Sequence, residues 1–231
     1  DSEHFSIINS GIKNENLKKI YITASGGPFY FKKNINLINV RLKDVLAHPK
    51  WKMGLNNSID SSNFINKILE IYELSIIYNI KLSKIDFLIN REAYIHSIII
   101  NKENIININC FENDMLITLI SPLLDYYPNI YFKAKNKFLD FKNLKLEKFY
   151  DKRFKICKYL KTLKDLSSYQ QISFMILNNI AQKKYLLGEI KYNNILDFIM
   201  VNLKDIKAPK NFKTLNQRIN FIDTINSKYG S

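Results

Sequence analysis

Hydrophobic and polar residues recur with two different periods along this chain. Four short runs rich in isoleucine predict β-strands, at residues 19–24, 85–89, 94–100 and 105–110. The segment Asn101-Lys102-Glu103-Asn104 separates the last two runs and is typical of a hairpin turn. Isoleucine and asparagine alternate over residues 106–109, which predicts a sheet with one solvated face.

Helical spacing of apolar residues dominates the rest of the chain. It occurs over residues 61–78, 114–127 (with an interruption near Pro122), 154–165, 169–187, 193–205 and 214–228. The polar stretch 129–152 shows neither period. We therefore predict an α+β fold, with a mixed α/β domain containing a small sheet over residues 1–128, a linker over 129–152 and a C-terminal helical bundle over 153–231.

Composition and charge narrow the classes of partner. The hydrophobic content of 46% is enough for a core, and no apolar run or signal peptide predicts a membrane partner. Cys110 and Cys157 match no metal-binding spacing and indicate reduced thiols in a non-oxidising compartment. The net charge is +14, but only four of the 35 basic residues are arginine and the lysines are spread along the chain. We therefore expect no nucleic-acid partner.

The segment from Asp60 to Glu70 carries the strongest local signal for chemistry. Its pattern predicts a helix start that Asp60, Ser61 or Ser62 caps, and a helix N-terminus suits a phosphate. Asn66, Lys67 and Glu70 follow on one side of that helix, so an amide, an ammonium and a carboxylate could hold an anion beside a metal ion. The alternative is an ordinary amphipathic helix with an exposed Lys67–Glu70 pair.

Two carboxylates open the chain, at Asp1 and Glu3. On an extended segment their side chains would share a face, and with Glu70 they would offer Mg²⁺ or Mn²⁺ three oxygen ligands. The alternative is a frayed, solvated terminus.

Other candidate residues give weaker signals. Ser25 stands beside a Gly26-Gly27 turn, where backbone can approach a ligand closely. His48 and Trp51 belong to a loop that either closes over a ligand or is anchored to the surface by the tryptophan. His96, inside a predicted strand, is more typical of a core histidine than of a catalytic one.

Six segments then occur in an order that characterises one family. They are Asp1-Ser2-Glu3-His4, Thr23-Ala24-Ser25-Gly26-Gly27-Pro28-Phe29, His48-Pro49-Lys50-Trp51-Lys52-Met53-Gly54, Asp60-Ser61, Asn66-Lys67-Ile68-Leu69-Glu70 and Ile95-His96-Ser97. This succession resembles the catalytic and C-terminal parts of the 1-deoxy-D-xylulose 5-phosphate reductoisomerases. The resemblance is strong from Asp1 to Met115 and thin after Pro128, where Leu139-Asp140-Phe141 is the best match.

The resemblance implies roles for individual residues, and it makes residues 1–128 a metal- and phosphate-binding catalytic domain. The metal ligands would be Asp1, Glu3 and Glu70, and the catalytic set would also include Lys67 and His48. The substrate would contact Ser2, Ser25, Trp51, Ser61, Asn66, Lys67 and His96. The cofactor would lie near Met53, Gly54 and Met115.

The function implied is NADPH-dependent conversion of 1-deoxy-D-xylulose 5-phosphate to 2-C-methyl-D-erythritol 4-phosphate, by metal-assisted rearrangement and then hydride reduction. Family resemblance also implies a homodimer, in a bacterial cytoplasm or a plastid stroma. No G-x-G-x-x-G stretch occurs, so we expect an upstream NADPH domain and no activity from this segment alone. The alternative is a degenerate, non-catalytic remnant or interaction module of the same fold, because positions such as Asn178-Asn179 only half retain the family pattern.

Overall fold

The computed structural model describes residues 1–11, 14–47, 53–124, 126–127, 144–209 and 212–230. The chain folds into two compact units, and each is discontinuous in sequence. The first unit contains Asp1–Gly26 and Glu73–Phe149, and the second contains Gly27–Tyr72 and Tyr150–Ser231. This grouping places residues 27–72 with the C-terminal helices. The division at residues 128 and 153 inferred from the sequence remains a prediction.

A five-stranded mixed sheet forms the centre of the first unit. Its strands are β1 (Leu17–Ala24), β2 (Ile85–Ile89), β3 (Ile95–Asn101), β4 (Ile106–Cys110) and β5 (Glu147–Lys148). They lie in the order β4-β3-β1-β2-β5; β1 and β2 are parallel and the other neighbours are antiparallel. The α+β prediction and four of its strands are therefore confirmed.

Isoleucines explain why the central strands form, because β-branched side chains pack well on a pleated surface. Ile20 and Ile22 of β1, Ile85 of β2 and Ile99 of β3 have no exposed surface. The prediction of one buried face on β4 is wrong, since Ile106 and Ile108 at the sheet edge are more than half exposed.

Strand β5 lies inside the stretch predicted as a linker. It pairs Lys148 with Leu88 and Glu147 with Ile89. Both residues are charged and exposed and show no apolar alternation, so no pattern in the sequence predicted a strand there.

Two helices accompany the sheet in the first unit, α1 (Ser2–Asn9) and α5 (Met115–Leu124). The α1 residue Phe5 packs edge-on against Phe111, and Ser6 bonds Ser97 of β3 through their hydroxyls at 2.7 Å. The predicted interruption near Pro122 is wrong, because helix α5 runs through Pro122 without a break, and the helix ends at Leu124 rather than at residue 127.

The second unit is helical. It contains α2 (Leu42–Val45), α3 (Leu55–Asn63), α6 (Ile156–Lys164), α7 (Ser168–Leu186), α8 (Ile195–Asp205) and α9 (Leu215–Tyr229). Helix α4 (Ile65–Ile77) contains the sequence boundary between the units. The four predicted C-terminal helices are thus confirmed to within a few residues. Among the described residues, no helix combines the length and apolar content that crossing a bilayer requires.

Helices α7 and α8 contribute fully buried apolar side chains to the core of the second unit. Phe174, Leu177 and Ala181 of α7 and Ile199 of α8 have no exposed surface. These α7 residues recur at three- and four-residue spacing, which places them on one helical face.

Candidate metal and phosphate site

The junction between α3 and α4 positions the residues that the sequence singled out. The prediction of one helix over 61–78 is wrong, because α3 begins at Leu55 and a separate α4 begins at Ile65. Phe64 separates them in a left-handed conformation, with φ of 67°. The buried ring of Phe64 packs edge-on against Phe154, with centroids 4.9 Å apart, which offsets the backbone strain.

The predicted helix caps are therefore placed differently. Asp60, Ser61 and Ser62 lie in the last turns of α3, and Asn63 Oδ1 accepts the Ile65 backbone N–H at 2.9 Å where α4 begins. The apolar spacing continues through Phe64 and Ile65 without a change of period, so periodicity alone did not reveal the break.

The half-buried Asn66 and the buried Lys67 and Glu70 form one cluster in the first two turns of α4. Lys67 Nζ donates to both Glu70 carboxylate oxygens, at 2.8 and 2.7 Å, and Asn66 Nδ2 donates to Glu70 Oε1. Lys67 is only 8% exposed and Glu70 only 3%. The alternative of a solvated surface pair is therefore wrong, and a buried ion pair of this kind requires close pairing to offset its desolvation.

Gly27 packs directly against the backbone of Ser61. Its φ is +58°, and a Cβ at this position would lie 2.8 Å from the Ser61 carbonyl oxygen. Glycine is thus required twice over, by backbone conformation and by space. The close approach observed at this turn is made to the backbone of Ser61, and the predicted approach to a ligand remains a prediction.

Asp60 is a buried carboxyl, which the sequence analysis considered only as a helix cap. It is 6% exposed and accepts hydrogen bonds from Asn178 Nδ2 at 2.8 Å and Gln182 Nε2 at 2.5 Å. Burial raises the pKa of Asp60 from 3.8 to about 7, against the lowering effect of the two amide donors.

The prediction that Asp1 and Glu3 lie on an extended segment is wrong, because residues 2–9 form helix α1. Asp1 takes the N-cap position of α1, and its carbonyl accepts the Phe5 N–H at 3.1 Å. A carboxylate is favoured at a helix N-terminus, and Phe5 and Ile7 supply the buried face. Asp1 therefore lies just before the first helical turn and Glu3 within it, so the shared face argued from an extended segment does not apply.

His4 and Glu73 are the residues that sequence reasoning missed in the first unit. His4 Nδ1 lies 3.4 Å from Asp1 Oδ2 and 3.7 Å from Glu73 Oε2. Potential ligand atoms of the three side chains all lie within 4.8 Å of one another, so this cluster could hold a metal ion. The i,i+3 spacing of Asp1 and His4 would have indicated it had the segment been recognised as helical.

Ser2 and His96 also belong to the first unit and are buried. Ser2 Oγ donates to Glu3 Oε2 at 2.7 Å. The His96 ring stacks on Phe111 with centroids 3.7 Å apart, and its Nε2 lies 3.2 Å from the Phe111 carbonyl oxygen. These contacts agree with the interpretation of His96 as a core histidine, and its substrate-binding role remains a prediction.

Two of the remaining candidates, Gly54 and Met115, lie at the N-termini of helices. Gly54 is the exposed N-cap residue of α3, preceded by the half-buried Met53, and Met115 begins α5 with 38% of its surface exposed. His48 and Trp51 lie outside the described residues, as does the segment 139–141.

The two units thus each assemble part of the predicted site. The second unit brings Ser61 close to Gly27 and gathers Asn66, Lys67 and Glu70 at the start of one helix. Ser25, Asp1 and Glu3 belong to the first unit. The predicted convergence of residues from both units on one cation and one phosphate remains a prediction.

The fold defines the chain as an α+β protein with a mixed sheet in one unit and a helical second unit. Residues 1–78 match the model of the family described as the 1-deoxy-D-xylulose 5-phosphate reductoisomerase C-terminal domain. The resemblance inferred from the motifs is thereby confirmed, and the chain is similar to these reductoisomerases.

Curated relatives extend the likeness over nearly all of the chain. The 1-deoxy-D-xylulose 5-phosphate reductoisomerase of Pelagibacter ubique is 33% identical over 226 residues, covering 94% of this chain and 56% of that protein. The enzyme of the same name from Clostridium novyi is 32% identical over 201 residues, covering 86% and 52%. The chain spans about half the length of the curated relatives it matches.

Solved structures share the fold. A DOX-P reductoisomerase crystallised with NADPH, fosmidomycin and magnesium superposes with a TM-score of 0.83 at 24% identity, covering 100% of this chain and 60% of that one. The reductoisomerase of Zymomonas mobilis in complex with NADPH gives 0.79 at 22% identity, with the same coverage.

Proposed function

We propose that this chain supplies the metal- and phosphate-binding catalytic part of an NADPH-dependent reductoisomerase. The reaction would convert 1-deoxy-D-xylulose 5-phosphate to 2-C-methyl-D-erythritol 4-phosphate. The names of the relatives support this proposal. The observation that carries it is the cluster of Asn66, Lys67 and Glu70, which sets an ammonium, an amide and a carboxylate at the start of one helix.

Within this proposal, Asn66 and Lys67 bind the substrate's phosphate together with Ser61 and Ser25. An ammonium and an amide both donate hydrogen bonds to anionic oxygens, and partial burial strengthens such bonds by excluding water. Lys67 is held by two bonds to Glu70, so its side chain is oriented before any ligand arrives. Pre-orientation of this kind lowers the entropy cost of binding.

Asp1, Glu3 and Glu70 are the proposed ligands of Mg²⁺ or Mn²⁺. Their carboxylate oxygens are the donors that these ions prefer, and a carboxylate has about four acceptor positions, so the bonds from Asn66 and Lys67 to Glu70 are compatible with coordination. Such an ion, when bound, polarises a carbonyl as a Lewis acid. The carboxylates would orient it, and Ser2 would bond a substrate oxygen.

NADPH is the proposed hydride donor, and Met53, Gly54 and Met115 are the residues of this chain proposed to lie near it. His48 and Trp51 would cover the bound substrate, and His96 would lie beside it. The structures solved with NADPH support the choice of cofactor for proteins of this fold.

We further propose a homodimer located in the bacterial cytoplasm. The exposed isoleucines Ile106 and Ile108 on edge strand β4 offer apolar surface for self-association. The bacterial organisms of the relatives support the location.

A Mn²⁺ titration of the 231-residue chain tests the metal site. We expect Glu70→Gln to weaken Mn²⁺ binding at least about tenfold, because one coordinating charge is lost. The matched control is Glu103→Gln, which removes an exposed carboxylate in the β3–β4 turn and should leave the affinity unchanged. Circular dichroism of each variant reports folding. Equal Mn²⁺ affinity of the folded Glu70→Gln variant and the parent would contradict the proposed site.

Activity is tested by joining the chain to a reductoisomerase NADPH domain and following NADPH oxidation with 1-deoxy-D-xylulose 5-phosphate. Turnover that Glu70→Gln abolishes would support the proposal. A well-folded chimera without turnover would instead favour a non-catalytic remnant of the same fold.

A further inference from the structure

The last turns of α3 are fixed by an unusual buried polar network inside the second unit. Asp60 accepts hydrogen bonds from Asn178 and Gln182, which are four residues apart on α7 and therefore lie on one face of it. Both amide side chains are 1% exposed. An apolar residue at position 60 would avoid the desolvation cost of a carboxyl, so stability alone does not account for this arrangement.

Two further contacts hold the residues next to Asp60. Ser62 Oγ lies 3.0 Å from the buried Tyr192 hydroxyl, and it donates to the Ile59 carbonyl at 2.6 Å. On the other side, Gly27 packs against the Ser61 carbonyl so closely that no side chain would fit. Residues 60–62 are therefore held at three points, by α7, by Tyr192 and by the Gly27 turn.

Ser61 is half-buried at the centre of these three contacts. The segment continues through the left-handed Phe64 into α4, where Asn66 and Lys67 follow. A shift of the end of α3 would consequently change the distance from Ser61 to both residues.

We infer that Asp60 is a positioning residue for the proposed phosphate site, tying Ser61 to α7 through Asn178 and Gln182. The inference rests on the proposed function, since it assigns Ser61, Asn66 and Lys67 a common ligand. The positioning role of Asp60 gives helix α7 an indirect part in substrate binding, because the proposed phosphate contacts Ser61, Asn66 and Lys67 come from α3 and α4.

The test compares two buried glutamines of the same helix in the 231-residue chain, with inorganic phosphate as the probe. Gln182→Leu removes a donor to Asp60. Gln171→Leu is the matched control, because Gln171 is also buried but donates to the Leu166 carbonyl, at 2.8 Å. We expect Gln182→Leu to raise the Kd for phosphate about tenfold and to speed amide hydrogen exchange at Ser61. The control Gln171→Leu should change the Kd less than about twofold, although its loss of thermal stability should be similar.

Lys67→Met separates the two levels of the proposal. If Lys67→Met abolishes phosphate binding while Gln182→Leu and Gln171→Leu bind equally well, the positioning role is wrong and the proposed function stands. If Lys67→Met binds phosphate like the parent, both are wrong. Should Gln182→Leu fail to fold, Asn178→Ala makes the same comparison against Ser173→Ala, a buried α7 serine that bonds within its own helix.

Discussion

The substitution Asp60→Asn should change how the stability of this protein depends on pH. The pKa of Asp60 is raised by burial from 3.8 to about 7, so between these values the folded chain keeps a proton that the unfolded chain has released. The free energy of unfolding therefore falls as pH rises from about 4 to about 7, by about 1.4 kcal/mol per pH unit. From about pH 5 to about pH 8 the parent should lose about 3 kcal/mol through this group.

Asp60→Asn keeps the shape of the side chain and removes the titration. Asn178 Oδ1 and Gln182 Oε1 are buried and find no donor among the described residues, so rotation of either amide offers an acceptor to the new Nδ2. Tyr192, which interacts electrostatically with Asp60, has a pKa raised by burial and stays neutral over this range. The variant should thus gain about 3 kcal/mol relative to the parent between about pH 5 and about pH 8.

Urea unfolding followed by circular dichroism at several pH values measures the difference. The difference in unfolding free energy between the two proteins is the informative quantity, because titrations common to both cancel. A difference that stays constant within about 0.5 kcal/mol over this range would refute the assignment of a raised pKa to Asp60.

Two further predictions concern the junction that carries Ser61. Gly27→Ala should lower the free energy of unfolding by about 1 kcal/mol more than Gly11→Ala. Both glycines have φ near +60°, but of the two only Gly27 leaves no space for a Cβ. Equal losses of stability for the two variants in urea unfolding would show that the turn relaxes around the new methyl group. Phe64→Ala should lower the free energy of unfolding by about 3–4 kcal/mol, because a buried ring is lost. The control Ile76→Ala, at a position 64% exposed, should lower it by less than about 0.5 kcal/mol. Thermal denaturation distinguishes these magnitudes, and a loss below about 1 kcal/mol for Phe64→Ala would contradict the packing argument.

Much of the fold could be predicted from the sequence because strongly periodic elements such as β2 and α7 are also buried, although β4 alternates and lies exposed at the sheet edge. Strand β2 was predicted with its observed bounds and the C-terminal helices within a few residues, since β2, α7 and α8 contribute buried apolar faces to the cores. Strand β5 could not be predicted, because its two charged residues owe their conformation to pairing with β2. The break at Phe64 was missed because tertiary packing, and no local residue preference, stabilises its left-handed backbone.

The candidate site was predicted in part for the same reason. Asn66, Lys67 and Glu70 are neighbours on one helix, so their spacing sufficed to group them. The link from Asp60 to Gln182 joins residues more than one hundred positions apart, and no pattern in a single sequence reports such a pair. The assumption of an extended terminus hid the pairing of Asp1 with His4, which a helical interpretation of the first residues would have indicated, whereas Glu73 joins them only through the tertiary fold.

The interleaved composition of the two units sets an order of events during synthesis. Strand β1 leaves the ribosome before its parallel neighbour β2, which follows only after the whole of residues 27–72 has emerged. Those residues in turn await the helices beyond residue 150 before their own unit is complete. Neither unit can therefore be released intact by one cut in the polypeptide. A nascent chain that has emerged only as far as residue 140 would contain four of the five strands, together with a segment that exposes the apolar sides of α3 and of the first turns of α4.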